Sequence, residues 1–130
     1  HSTLLSADVA AAFDPNYPNV GDNANFAAIG QGIAMVKYTG SRGKSGANDA
    51  AAELVGKVRK LFNDHGVVYQ TSELGKVDQG GGGTVAKYIA NHNIETVDIG
   101  VPVLSMHAPF ELISKADLYE AHRAFSAFCK

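Results

Sequence analysis

Cysteine is nearly absent from this chain: Cys129 is the only one among 130 residues. A lone thiol excludes an internal disulfide and fits a reducing compartment, so a cytoplasmic protein is expected. Basic blocks are missing too. Eleven Lys and Arg stand against thirteen Asp and Glu, for a net charge of −2, and a nucleic-acid partner has no electrostatic support. No apolar run is long enough to cross a bilayer, and no segment reads as a secretory signal. There is no Gly-x-Ser-x-Gly elbow, and Cys129 falls in a predicted terminal helix, which disfavours serine and cysteine hydrolases. What remains is an ordinary folding composition, 45% hydrophobic and 18% charged, neither disordered nor membrane-spanning. A chain of this length suits one domain that buries roughly two-thirds of its extended surface. The first residue is His1 and it leads at once into the apolar Thr3-Leu4-Leu5. The chain is therefore expected to be a piece of something longer.

Hydrophobic periodicity predicts strands over Thr3–Ala7, Ile33–Thr39, Val67–Leu74, Ile94–Ile99 and Val101–His107. It predicts helices over Thr84–Asn91 and Lys115–Phe128, the latter with Leu118, Ala121, Phe125 and Phe128 at near-helical spacing. The clearest helix carries Ala51, Leu54, Val55, Val58, Leu61 and Phe62 as an i, i+3, i+4, i+7 stripe. Asn48 is its expected N-cap, Asp49 favours its positive end, and Gly66 is its stop. Between the first two strands, Asp14-Pro15-Asn16-Tyr17-Pro18 is a turn segment that excludes a continuing helix. Strands alternating with helices indicate a layered α/β/α sandwich around a mostly parallel or mixed sheet, one unit over 1–130.

The chain is organised around Asp98 to Glu111. Within it, Val101, Val103, Ser105 and His107 should share one strand face, with Leu104 and Met106 turned into the core. His107 is then a polar group at a strand end, where ligands of α/β sheets sit; a histidine capping a strand edge is the commoner case. Asp8 likewise follows a strand, and both residue types bind zinc. The other histidines, His65, His92 and His122, look solvent-facing or helix-terminal and carry no assigned role. Gly43-Lys44-Ser45 imitates a phosphate loop, but the pattern Gly-x-x-x-x-Gly-Lys-Ser needs glycine where Tyr38 stands, and Gly40 is too close. Gly80 to Gly83 is a second glycine-rich loop. Its backbone entropy cost implies either tight packing or peptide groups that touch a ligand.

The segments Ser6-Ala7-Asp8-Val9, Asp14-Pro15-Asn16-Tyr17-Pro18, Asp78 to Thr84 and Asp98 to Pro109 occur in one order at suitable separations. Together they resemble the C-terminal part of the catalytic domain of the aspartyl aminopeptidase and vacuolar aminopeptidase I family, dinuclear zinc exopeptidases. Gly43 to Asp49 and Glu73 to Gln79 look like its bacterial branch. The resemblance implies that Asp8 matches the Ser-x-Asp zinc ligand and His107 the histidine of the Leu-Ser-Met-His motif, each on a different one of two zinc ions. It implies substrate contacts at Lys37 and at Gly82, Gly83 and Thr84. Ala11 and Asp14 depart from it, standing where many members carry histidines near the substrate, and both bear on the preference for acidic N-terminal residues linked to the family name.

The family's first ligand histidine, bridging aspartate and paired glutamates, one of them the general base, lie upstream of this region, and the insertion domain used in oligomer assembly is also missing from it. No catalytic residue is therefore expected in these 130 residues. The implied activity is zinc-dependent removal of N-terminal residues from peptides, by a homo-oligomer, with the upstream half supplied in cis or in trans. The competing expectation is a non-catalytic α/β interaction module with an incomplete metal site.

Overall fold

The computed structural model describes residues 2–41, 45–76 and 82–130. In chain order the strands are β1 (Thr3–Ser6), β2 (Ala10–Ala11), β3 (Ile33–Val36), β4 (Tyr38–Ser41), β5 (Ser45–Asp49), β6 (Tyr69–Thr71), β7 (Glu95–Gly100), β8 (Pro102–Leu104) and β9 (Leu112–Ile113). The helices are α1 (Ala52–Asp64), α2 (Ala86–Ala90) and α3 (Lys115–Phe128). The main sheet has the order β1-β7-β3-β6. β1 runs parallel to β7 and β3 parallel to β6, while β3 and β7 are antiparallel. The expected mixed α/β sheet is therefore present.

Alternation along these strands gives the sheet two unlike faces. Leu5, Ile33, Met35, Val97 and Ile99 point to one side. There they meet Leu54, Val58 and Phe62 of α1 and Ala121 and Ala124 of α3 in the main core. Phe62 is fully buried and meets the Tyr69 ring edge-on at 5.5 Å; burial of such a side chain contributes about 1.5–3 kcal/mol. The opposite face carries Ser6, Ala34, Val36, Thr96 and Asp98, all buried. These residues are small or polar, and α2 with the segment before it packs toward β7 on that side. One helical layer is thick and the other thin.

Several predicted boundaries differ, each for an identifiable reason. The strand expected over Ile33–Thr39 breaks at Lys37, whose carbonyl accepts a hydrogen bond from the Ala50 amide. β4 then turns back into β5, so Asn48 pairs opposite Thr39 instead of capping α1. The N-cap is Ala51, with no side-chain hydrogen bond, and Asp49 pairs with Lys37. Gly66 does end α1, with φ +62. Only Tyr69–Thr71 of Val67–Leu74 is strand. In α3 the buried stripe is Ala121, Ala124 and Ala127, which allow close approach to the sheet, whereas Leu118 stays half exposed. Ser114 caps α3 by accepting from the Ala116 and Asp117 amides. β8 ends at Leu104, so the expected parity fails beyond it. Val103 is buried, and Leu104 and Met106 stay out of the core at intermediate exposure. The Gly43-Lys44 part of the imitation phosphate loop, and Gly80 and Gly81, lie outside the described residues.

Candidate metal and substrate site

Asp8 lies two residues beyond β1, where the Asp8 amide donates to the Ser6 carbonyl at 3.2 Å and the Asp8 carboxylate accepts from the Val9 amide at 2.8 Å. The chain can pass there because β7 ends in a glycine. A Cβ on Gly100 would stand 1.8 Å from the Asp8 carbonyl oxygen. Beyond Asp8, β2 pairs in parallel with β8, which brings the Asp8 segment beside the one leading to His107. His107 is not on the strand itself. It sits in the loop that joins β8 to its antiparallel partner β9, exposed, with its amide donating to Glu111. Ser105 and His107 have φ of 57° and 68°, left-handed conformations that non-glycine residues adopt at a cost.

These two residues, far apart in sequence, share a cavity of about 260 Å³ whose walls include Asp8, Ala11, Gly82, Gly83, Thr84 and His107. Asp8 and His107 therefore converge, although His107 lies beyond its strand, and the described half of the glycine loop converges with them. Neither Gly82 nor Gly83 has a positive φ. A Cβ at Gly82 would meet no atom of the described residues within 4 Å, so packing among them does not demand that glycine. A larger hollow of about 450 Å³ between α3 and the end of β1 is mainly apolar and contains Asp8 but not His107. Of the departures noted in the sequence, Ala11 lines the smaller cavity, and Asp14 caps its own turn by accepting from the Asn16 amide.

Lys37 is not part of that wall. Because β3 runs against β7, Val36 stands opposite Asp98 and the chain then leaves in the direction opposite to the one β1 takes toward Asp8. Lys37 forms an ion pair with Asp49. Glu73 lies close to both: burial, and then Asp49, push its carboxyl above the usual range, while Lys37 opposes them. Glu73 precedes Leu74 and Gly75, which do line the cavity.

Asp98 received no role in the sequence reading, yet it is the most deeply buried acid next to the site, 2% exposed. Its Oδ2 accepts from the Thr84 hydroxyl at 2.9 Å and its Oδ1 has no partner among the described residues. Burial raises its carboxyl above the usual aspartate range. The Ser6 and Thr84 hydroxyls lower it, though only Thr84 reaches hydrogen-bond geometry, and the nearby Asp8 charge raises it. The folded chain thus holds this proton more tightly than the unfolded chain. Stability should be greatest below the ordinary aspartate value and should fall as pH climbs through the raised range. An Asp98→Asn chain has no such proton. Urea melts from pH 4 to pH 7.5 should find it more stable than the parent near neutrality, with the advantage fading toward acid. An advantage independent of pH would contradict the assignment.

Carboxylate oxygen and imidazole nitrogen are both zinc donors. Among the described residues, however, no group of three or more His, Cys, Asp or Glu is placed to hold a metal ion. The donors have the right chemistry and fall short in number, so these residues do not complete a zinc site. No described helix is long and apolar enough to cross a membrane.

Known proteins resemble this chain along nearly its whole length. The profile of the aminopeptidase I zinc metalloproteases (M18) matches residues 1–129. A probable M18 family aminopeptidase 1 of Clostridium acetobutylicum is 55% identical over 128 residues, 98% of this chain and 28% of that protein. The Thermotoga maritima counterpart is 50% identical over 125 residues, 96% of this chain and 28% of the relative. The crystal structure of aminopeptidase I from Clostridium acetobutylicum superposes with a TM-score of 0.94 at 54% identity, over 99% of this chain and 28% of that one. The chain thus spans little more than a quarter of the length of these relatives. With its match running nearly end to end, the chain belongs to the M18 family of aminopeptidase I zinc metalloproteases.

Proposed function

We propose that these residues are the C-terminal part of the catalytic domain of a zinc aminopeptidase that removes N-terminal residues from peptides. The observation that carries this reading is the convergence of Asp8, His107, Gly82, Gly83 and Thr84 on one cavity. Asp8 and His107 would each hold one of two zinc ions, whose ligand sets and general base the upstream part of the domain would complete. Zinc held there would supply an acidified water and a polarised scissile carbonyl. The residues of this chain bind and orient: Gly82 and Gly83 offer bare backbone to the peptide, and Thr84 fixes where that backbone lies. Lys37, paired with Asp49 and beside Glu73, contributes an outer contact to the substrate. A cytoplasmic location is part of the proposal and is supported by the free, exposed Cys129. So is self-association, supported by exposed Phe110, Leu112 and Ile113 on and before β9.

A catalytic zinc takes three protein ligands and a water, and each ion would find one here. The 130-residue chain should therefore bind zinc weakly and hydrolyse no amino-acyl anilide. Joined to, or mixed with, the upstream remainder of the Clostridium acetobutylicum relative, it should gain tight zinc binding and turnover. Zinc titration and an anilide assay on protein of verified mass check both statements. Turnover by the chain alone would refute the partial-domain reading, and a complemented domain that binds zinc without turnover would favour an interaction module.

A further inference from the structure

Asp98 has a cost without an evident structural return. It lies on a sheet face beside Ser6 and Val36, it is 2% exposed, and one of its two carboxylate oxygens has no partner among the described residues. A buried, half-satisfied carboxylate is a poor source of stability. Its single strong contact is the Thr84 hydroxyl at 2.9 Å, and Thr84 is itself buried and faces the cavity. The same hydroxyl accepts from the Ala86 amide at 3.3 Å, so its rotamer is held from both sides. Two residues earlier, the Gly82 carbonyl accepts from the Gly40 amide of β4 at 3.1 Å. The segment Gly82–Thr84 is therefore clamped at each end, with exposed Gly83 between. On the sheet, Asp98 sits opposite Ser6, and Ser6 is two residues from Asp8. One rung of the sheet thus carries both the approach to Asp8 and the anchor of the glycine segment.

We propose that Asp98 is a positioning residue of this site: through Thr84 it fixes the bare backbone at Gly82 and Gly83 in register with Asp8 and His107. It touches no substrate. Its effect is on where the peptide-binding backbone stands, and errors of about 1 Å in such placement cost on the order of a hundredfold in rate. The inference rests on the aminopeptidase reading for its consequence, but not for its geometry.

Two measurements separate them. In the 130-residue chain, NMR order parameters over residues 82–86 should drop in Asp98→Ala and in the isosteric Thr84→Val. They should stay at the parent level in Asp98→Asn and Thr84→Ser, which keep an acceptor and a donor. In the complemented domain, Asp98→Ala and Thr84→Val should each lower kcat/KM for an amino-acyl anilide by on the order of a hundredfold. The double variant should be no worse than either single one, because both break one contact. Zinc affinity should stay unchanged, and Asn and Ser should restore turnover to within a few-fold. A segment that stays rigid in both Asp98→Ala and Thr84→Val overturns the inference whatever the activity. A loosened segment with normal kcat/KM overturns the link to the reaction. If the complemented parent shows no turnover, the aminopeptidase reading falls and the order parameters alone decide whether Asp98 positions the segment.

Discussion

A Gly100→Ala chain should lose about 3 kcal/mol of stability, at the upper end of what one added methyl costs in a packed site. The new Cβ would stand 1.8 Å from the Asp8 carbonyl oxygen, 2.8 Å from its carbon and 3.0 Å from the Val9 carbonyl carbon. All three atoms are backbone, so no side-chain rotation relieves the overlap. The chain must move at the residue that presents Asp8 to the cavity. In the complemented domain the same substitution should therefore weaken zinc binding, although position 100 offers no ligand atom. Urea unfolding and zinc titration on one preparation read both effects. A midpoint equal to the parent's would mean that the Asp8 segment is free to slide, and the rigid presentation of that ligand would have to be abandoned.

Asp117→Ala is the second large effect, and it lies away from the cavity. Asp117 is fully buried at the start of α3. Its two carboxylate oxygens accept from the amides of Gly30 at 2.7 Å and Gly32 at 2.8 Å. Both glycines have positive φ, and a Cβ on Gly32 would strike the Val68 carbonyl at 2.3 Å. The turn into β3 is thus built around an acid supplied from the far end of the sequence, and the positive end of α3 favours that charge. Alanine would strand a buried amide and leave a cavity, for a loss of about 2–4 kcal/mol. Asp117→Asn keeps an acceptor and should lose less. Thermal and urea melts rank the three chains. Equal stability of the alanine variant and the parent would show that water replaces the carboxylate without penalty.

The contrast between Asp8 and Asp98 shows what was legible in the sequence. Asp8 and His107 could be named because each stands in a motif with a family likeness, and the cavity brings them together. Periodicity alone misplaced His107, since it extended β8 through a turn whose left-handed residues leave no mark on an alternation pattern. Asp98 and Asp117 were illegible for a different reason. A lone aspartate in a strand, or in the first turn of a helix, reads as a solvated or capping residue. Only tertiary packing reveals that Thr84 and the Gly30–Gly32 turn supply its partners. Asn48 failed as a cap because a β-hairpin claimed it first, and strand pairing overrides a capping preference. The strands of the main sheet and the helices α1 and α3 were legible because apolar residues recur along them at strand or helix spacing.

The position of β1 bears on how the chain behaves in a tube. Among the described residues β1 pairs only with β7 and leaves its other side as the sheet's margin. An uncovered strand margin is a template for any extended segment, including a copy of itself. Concentration and order of addition therefore enter the mixing experiment: at high concentration, association of copies at this margin competes with complementation. Dilution before mixing, or co-translation with the partner segment, shifts that competition toward the productive pairing.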